Sequence, residues 1–149
     1  MLVLHTAGLL GDYGVQTDPC ARRKGAHDDE PVVETDEDGA VIARHGSAAG
    51  RRACAHHVAT YTATQAAAVL AANKALRLGL RPGRIALALG VSAATHYVAD
   101  RRRPLRRLAD VTGKGKFYRM SVPGMSGAVE LDQMWHRVWE ALAAVLAGR

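Results

Sequence analysis

The stretch Ile85-Ala86-Leu87-Ala88-Leu89-Gly90-Val91 is rich in strong helix formers and free of proline, and it leads into His96-Tyr97-Val98-Ala99-Asp100-Arg101-Arg102-Arg103. A helix through it puts His96 and Asp100, four residues apart, on one face and one turn from each other. The arrangement recurs in reverse as Asp132 and His136, and His5 and Asp12 share a face at a spacing of seven. Each pair lies among apolar or small residues that should face a core. Burying several charges without partners is costly. A fold for this chain must therefore either turn these pairs outward or bring them together so that they compensate one another. That choice constrains the architecture more than any other feature.

At 149 residues the chain is long enough for one domain with a real core. Its hydrophobic fraction of 48% includes only 5% aromatic residues, and much of the remainder is alanine, which favours closely packed helices. The formal charge of +6 comes from 16 Arg and four Lys against 14 acidic residues. Heavy use of Arg and Ala is also what a GC-rich genome writes, so charge alone does not name a nucleic-acid partner. Cys20 and Cys54 make no secreted disulfide framework, and residues 1–7 lack the basic start of a signal peptide. The expectation is a reduced, cytoplasmic protein. The longest uncharged stretch, Ala53 to Asn73, is too polar to span a bilayer, although Ala-rich helices leave room for peripheral membrane association.

In chain order, a first helix is expected from Leu2 to about Tyr13, then a short one capped by Asp18 with Pro19 at its first position. From about Ala26 to Gly50 the composition turns acidic, and half of all acidic residues lie there. Asp38-Gly39, a turn dipeptide between two β-prone runs, leaves room for a β-hairpin in this surface excursion. Helices follow at about Arg51–Leu78, Pro82–Arg103, a shorter one after Pro104, and Val129–Leu146, with a loop from Thr112 to Gly127. The pattern predicts a single all-α domain, a four-to-five-helix bundle with a polar His/Asp cluster in its core and an acidic insertion.

His and carboxylate side chains projecting inward from facing helices are how bundles build metal sites. The candidate ligands are His5, Asp12, His57, His96, Asp100, Asp132 and His136. Imidazole with carboxylate suits zinc best, with Mn or Fe as alternatives. This points to a small metal-dependent hydrolase in which the ion activates water and Asp12 or Asp132 takes its proton. An anionic, phosphate-containing substrate is favoured, because Arg101, Arg102, Arg103, Lys114 and Lys116 can stabilise negative charge. The competing reading is a non-enzymatic helical module whose His/Asp network is structural, with an Arg-rich face that binds nucleic acid or an anionic membrane. Two weaker signals stand beside these. Cys20, His27, Cys54 and His57 contain no C-x-x-C pair, and Thr112-Gly113-Lys114-Gly115-Lys116 lacks full phosphate-loop spacing.

His5-x-x-Gly8, Gly11-Asp12-Tyr13-x-x-Gln16-Thr17-Asp18, Lys24, His57-x-x-x-Tyr61-Thr62, His96-x-x-x-Asp100 and Asp132-Gln133-x-x-His136 occur in that order. The series resembles the bacterial and phage domain-of-unknown-function family numbered 3307, small helical proteins that are often membrane-embedded. The resemblance covers most of the chain outside residues 26–50 and 112–127. It implies no activity. It implies that His5, Asp12, Gln16, His57, His96, Asp100, Asp132 and His136 form one shared polar set, adds Gln16 to the substrate-binding candidates, and selects His57 over His56. This chain departs from the family in having Ala, Thr and Arg where many members have long apolar runs, and in its acidic insertion.

Overall fold

The computed structural model describes residues 2–148. The chain folds as α1 (Leu2–Leu10), a π-helical turn (Gly11–Val15), α2 (Asp18–Arg23), β1 (Val32–Thr35), β2 (Val41–His45), α3 (Ser47–Ala75), α4 (Pro82–Asp100), α5 (Arg103–Val111), α6 (Gly115–Tyr118), β3 (Ser121–Val122), β4 (Met125–Ser126) and α7 (Gly127–Gly148). It is mostly helical, and the all-α expectation is corrected by two small antiparallel hairpins. The first is the one the Asp38-Gly39 dipeptide leaves room for. Gly39 takes φ +82°, and Asp36 Oδ1 accepts from the Asp38 and Ala40 amides. The second, with α6, replaces the expected loop after Thr112.

The four helices α1, α3, α4 and α7 pack in a ring, α1 against α3, α3 against α4, α4 most extensively against α7, and α7 back onto α1. Buried positions step by three or four along each helix: Cys54, His57, Tyr61, Gln65 and Val69 on α3, and Ile85, Ala88, Ser92 and His96 on α4. On α7 they are His136, Glu140, Ala143 and Ala147. Such stripes are the inward faces of packed helices. At one end of the ring Leu4, Val69, Ile85, Ala88, Ala143 and Ala147 form an apolar cluster. Towards the other end each stripe turns polar. Among the described residues, no helix is long and apolar enough to cross a membrane.

The acidic excursion is tied down at its root. The Arg101 guanidinium, 8% exposed, donates to the Lys24 and Ala26 carbonyls and lies against His27. Asp28 and Ser47 exchange two hydrogen bonds, the Ser47 amide to Asp28 Oδ1 at 2.8 Å and the Asp28 amide to Ser47 Oγ at 3.0 Å. Asp28 thereby satisfies a free amide at the start of α3, which begins a turn before the expected Arg51. The helix expected to run through Arg103 stops at Asp100, and α5 restarts at Arg103 with Pro104 in its first turn.

Candidate metal centre

The polar ends of the four stripes meet in one place. His57, His96 and Asp100 are 1%, 1% and 2% exposed. His57 faces inward because it shares the spacing of Cys54, Tyr61 and Gln65, whereas His56 falls on the exposed face beside Cys20. Asp12 arrives differently. It sits in the π-helical turn, where the Gln16 amide reaches back five residues to the Gly11 carbonyl at 3.0 Å. A π-turn inserts one residue into a helical repeat and re-aims the side chains around it, a feature common at functional sites. Gly11 permits this close approach, since a Cβ there would lie 2.7 Å from the Tyr61 ring.

Two carboxylate oxygens lie against a pair of imidazole nitrogens. His57 Nε2 lies 2.9 Å from His96 Nε2, 3.1 Å from Asp12 Oδ1 and 3.4 Å from Asp100 Oδ2. His96 Nε2 lies 3.5 Å from Asp12 Oδ1 and 3.2 Å from Asp100 Oδ2. A tetrahedral zinc site with ligands at about 2.0–2.1 Å has ligand–ligand edges of about 3.3–3.4 Å. The separations within His57, His96 and Asp100 (2.9, 3.4 and 3.2 Å) and within Asp12, His57 and His96 (2.9, 3.1 and 3.5 Å) each lie close to that value, and among the described residues no group of mutually close ligand atoms contains both Asp12 and Asp100. Asp12, His57 and His96 make one candidate ligand group, and His96, Asp100 and His136 a second. The His136 ring stacks on His96 with centroids 4.0 Å apart and planes 5° from parallel, and Asp132 pairs with its Nε2 at 3.3 Å.

The local field favours charged carboxylates and resists a second cationic imidazole beside them. Burial pushes the Asp12 carboxyl up, but the His57 hydrogen bond and the charges of His96, His136 and Lys24 outweigh it, leaving the group below its ordinary range. Asp100 is treated the same way: burial opposes ionisation, His96 and Lys24 overcome it, and the carboxyl falls well below the usual value. Burial holds His96 down in spite of Asp100. His136 goes up, because Asp132, Asp12 and Asp100 together exceed the cost of burying its charge. Lys24 Nζ binds the other oxygen of Asp100 at 2.7 Å, so that Oδ2 alone faces the imidazoles. Nδ1 of His57 and of His96 has no hydrogen-bond partner among the described residues, so no acceptor behind either ring sets its tautomer.

A second polar layer lies one turn deeper. The buried Glu140 carboxylate accepts from Tyr61 OH at 2.6 Å, from His5 Nδ1 at 2.9 Å and from the Gln65 amide at 3.4 Å, and Ser92 Oγ donates to Gln65 Oε1 at 2.8 Å. Gly8 makes room for it, because a Cβ there would strike the Glu140 carboxylate and Tyr61 OH. The Tyr61 ring in turn lies 3.9 Å from the His96 ring. Burial, then Glu140, drive the Tyr61 phenol far above its usual range, so it stays a neutral donor. Cys54, one turn before His57 on α3, is pushed up to about 12 by burial and Asp100, an inert thiol at neutral pH.

The candidate ligands therefore separate. Asp12, His57, His96, Asp100 and His136 are brought together, with Asp132 at the edge against His136. His5 is not: its ring belongs to the Glu140 layer, a correction whose cause is a nearer buried carboxylate one turn away. Of the cationic candidates, Arg101 is withdrawn as a substrate contact, since its guanidinium is spent on backbone carbonyls. Lys114 and Lys116 are also corrected, because Lys114 caps α6, Lys116 lies in its first turn, and both are exposed and off the wall of the cleft described below. Sequence reasoning missed Glu140 and gave Lys24 no role. Glu140 continues the face of Asp132 and His136 by four more residues, so its signal was present; Lys24, between α2 and the excursion, had only its place in the ordered motif series.

The centre opens to solvent through a cleft of about 500 Å³. Asp12, Asp100 and Asp132 lie on its inner wall, with Gln16, Lys24 and Arg102 around them. Gln133 donates to Asp12 Oδ2 at 3.5 Å from the same wall. These features define a helical protein with a buried cluster of imidazoles and carboxylates beneath an open cleft. No family model, no curated protein and no solved structure matches the chain.

Proposed function

We propose that this chain is a small metal-dependent hydrolase that holds a divalent ion, zinc before Mn or Fe, at His57, His96 and Asp100 with Asp12 beside it, and acts on a phosphate-containing substrate. The observation that carries the reading is the set of three separations of 2.9–3.4 Å among His57 Nε2, His96 Nε2 and Asp100 Oδ2, with Asp12 Oδ1 3.1 and 3.5 Å from the two imidazoles. The donor set fits the group: two imidazoles and a carboxylate held in the charged form are what zinc takes. A bound ion would supply a water of lowered pKa and a Lewis acid.

The residues divide the remaining work. A catalytic zinc keeps three protein ligands and one open position. His57, His96 and Asp100 are the most deeply buried three, and Asp12, which lines the cleft with a side chain more exposed than that of Asp100, would accept a proton from water. Lys24 keeps Asp100 to one ligating oxygen. His136 and Asp132 pair at the edge, with Asp132 on the wall of the cleft as a further proton acceptor. The structural reading of the network is supported only for the deeper layer, where every Glu140 contact is satisfied within the protein.

Metal analysis of protein purified without added metal, with zinc titration of the stripped protein, tests the proposal. Wild type is expected to carry or take up about one equivalent, and His96→Ala to lose at least tenfold in affinity. A wild type that takes up no zinc, and whose melting temperature a chelator leaves unchanged, would refute it.

A further inference from the structure

Arg102 is the one residue between α4 and α5 with an unusual backbone. Its φ of 59° and ψ of −45°, with the Arg103 amide bonded to the Arg101 carbonyl at 2.6 Å, make a γ-turn of the positive-φ form, the rarer and strained one. Strain of this kind in a non-glycine residue persists only where the surroundings enforce it, and it clusters at functional sites. A second feature serves the same side chain. Gly25 is the seat on which it lies, and a Cβ there would collide with Arg102 Cδ and Nε. A third is its place. Arg102 and Tyr118 form part of the wall of the cleft over the metal centre and also of a neighbouring cleft of about 320 Å³, to which Arg103 and Arg106 belong.

The other cations of this region are engaged. Lys24 holds Asp100, Arg103 pairs with Asp29 and Glu30, and Arg106 pairs with Glu30. Arg102, exposed, makes one side-chain hydrogen bond, to the Ala21 carbonyl at 3.3 Å, and no ion pair is found for it among the described residues. A guanidinium free of carboxylates, held in place by its backbone and standing where two clefts meet, is built to take an anion. Its planar fork matches two oxygens of a phosphate at once.

From this geometry we infer that the substrate is a phosphodiester, its two non-bridging oxygens on Arg102 and its two ester arms divided between the clefts. The inference rests on the hydrolase reading and narrows its substrate. A monoester presents about two negative charges at neutral pH, and it would bring them against Asp12, Asp100 and Asp132 with one unpaired cation to receive them. A diester carries one charge and has a group to place in each cleft. Tyr118, on the wall of both, offers an aromatic face to either arm. Hydrolysis then breaks one P–O ester bond: water supplies hydroxide to phosphorus, its proton goes to Asp12, and the departing alkoxide takes that proton back from Asp12, giving a monoester and an alcohol.

Zinc-loaded wild type, Arg102→Gly and Arg102→Lys are titrated with bis(4-nitrophenyl) phosphate and with 4-nitrophenyl phosphate, and zinc uptake is measured separately for each. Glycine is chosen because it adopts positive φ freely, so the variant keeps the turn and loses only the side chain. The diester is expected to bind more tightly than the monoester. Arg102→Gly should lose about tenfold in diester binding with zinc uptake unchanged, and Arg102→Lys should recover part of it. Tighter monoester binding, or equal diester binding by wild type and Arg102→Gly, would overturn the inference. If wild type takes up no zinc, the hydrolase reading fails on its own, and the same titrations on the metal-free proteins still decide whether Arg102 holds a diester.

Discussion

The two ends of the helical ring are built from the same four helices and the same inward stripes, yet they are held together by different physics. At the lower end Leu4, Val69, Ile85, Ala88, Ala143 and Ala147 exclude water, and their contribution grows with the apolar area they bury. At the upper end the same stripes carry His57, His96, His136, Asp12 and Asp100, groups that cost free energy to bury and regain it only by facing one another or an ion. Between them lies the Glu140 layer, polar but internally satisfied. A helical stripe therefore determines where residues go without determining what holds them there. The lower end makes the fold, and the upper end depends on it.

Substitutions should separate the two ends. The largest loss is expected at the apolar end. Ile85→Ala, at a site 4% exposed, should cost about 2–5 kcal/mol in denaturant unfolding, and the cost should be the same with and without zinc. A cost that depended on zinc would show that the ends are not independent. The middle layer is expected to be less sensitive. Glu140→Ala leaves Tyr61 OH and the Gln65 amide without their acceptor and should cost about 1–3 kcal/mol, while zinc affinity stays within severalfold of wild type. A collapse of zinc affinity in that variant would move Glu140, and the Tyr61 ring it anchors against His96, from support into the centre itself.

Much of this was legible in the residues. Spacings of three and four placed His96 with Asp100 and Asp132 with His136 on inward faces, and the Asp38-Gly39 dipeptide marked the hairpin. What pattern could not supply was the partner of each charge. Arg103 and Arg106 read as a free basic cluster until the fold brings Asp29 and Glu30, more than 70 residues earlier, onto them. His5 shares a face with Asp12 in an ideal helix, but the π-turn alters the register between them and leaves His5 to Glu140, 135 residues away. Arg101 and Arg102 are neighbours in an apparently uniform run, and one γ-turn sends the first inward to the Lys24 and Ala26 carbonyls and the second to the cleft.

X-ray absorption on the zinc-loaded protein tests the central claim most directly. The account predicts a four-coordinate shell of nitrogen and oxygen at about 2.0–2.1 Å with the outer scattering of two imidazoles, lost in a His57→Ala, His96→Ala double variant. A six-coordinate shell made mostly of water, or a sulfur ligand at about 2.3 Å, would contradict it.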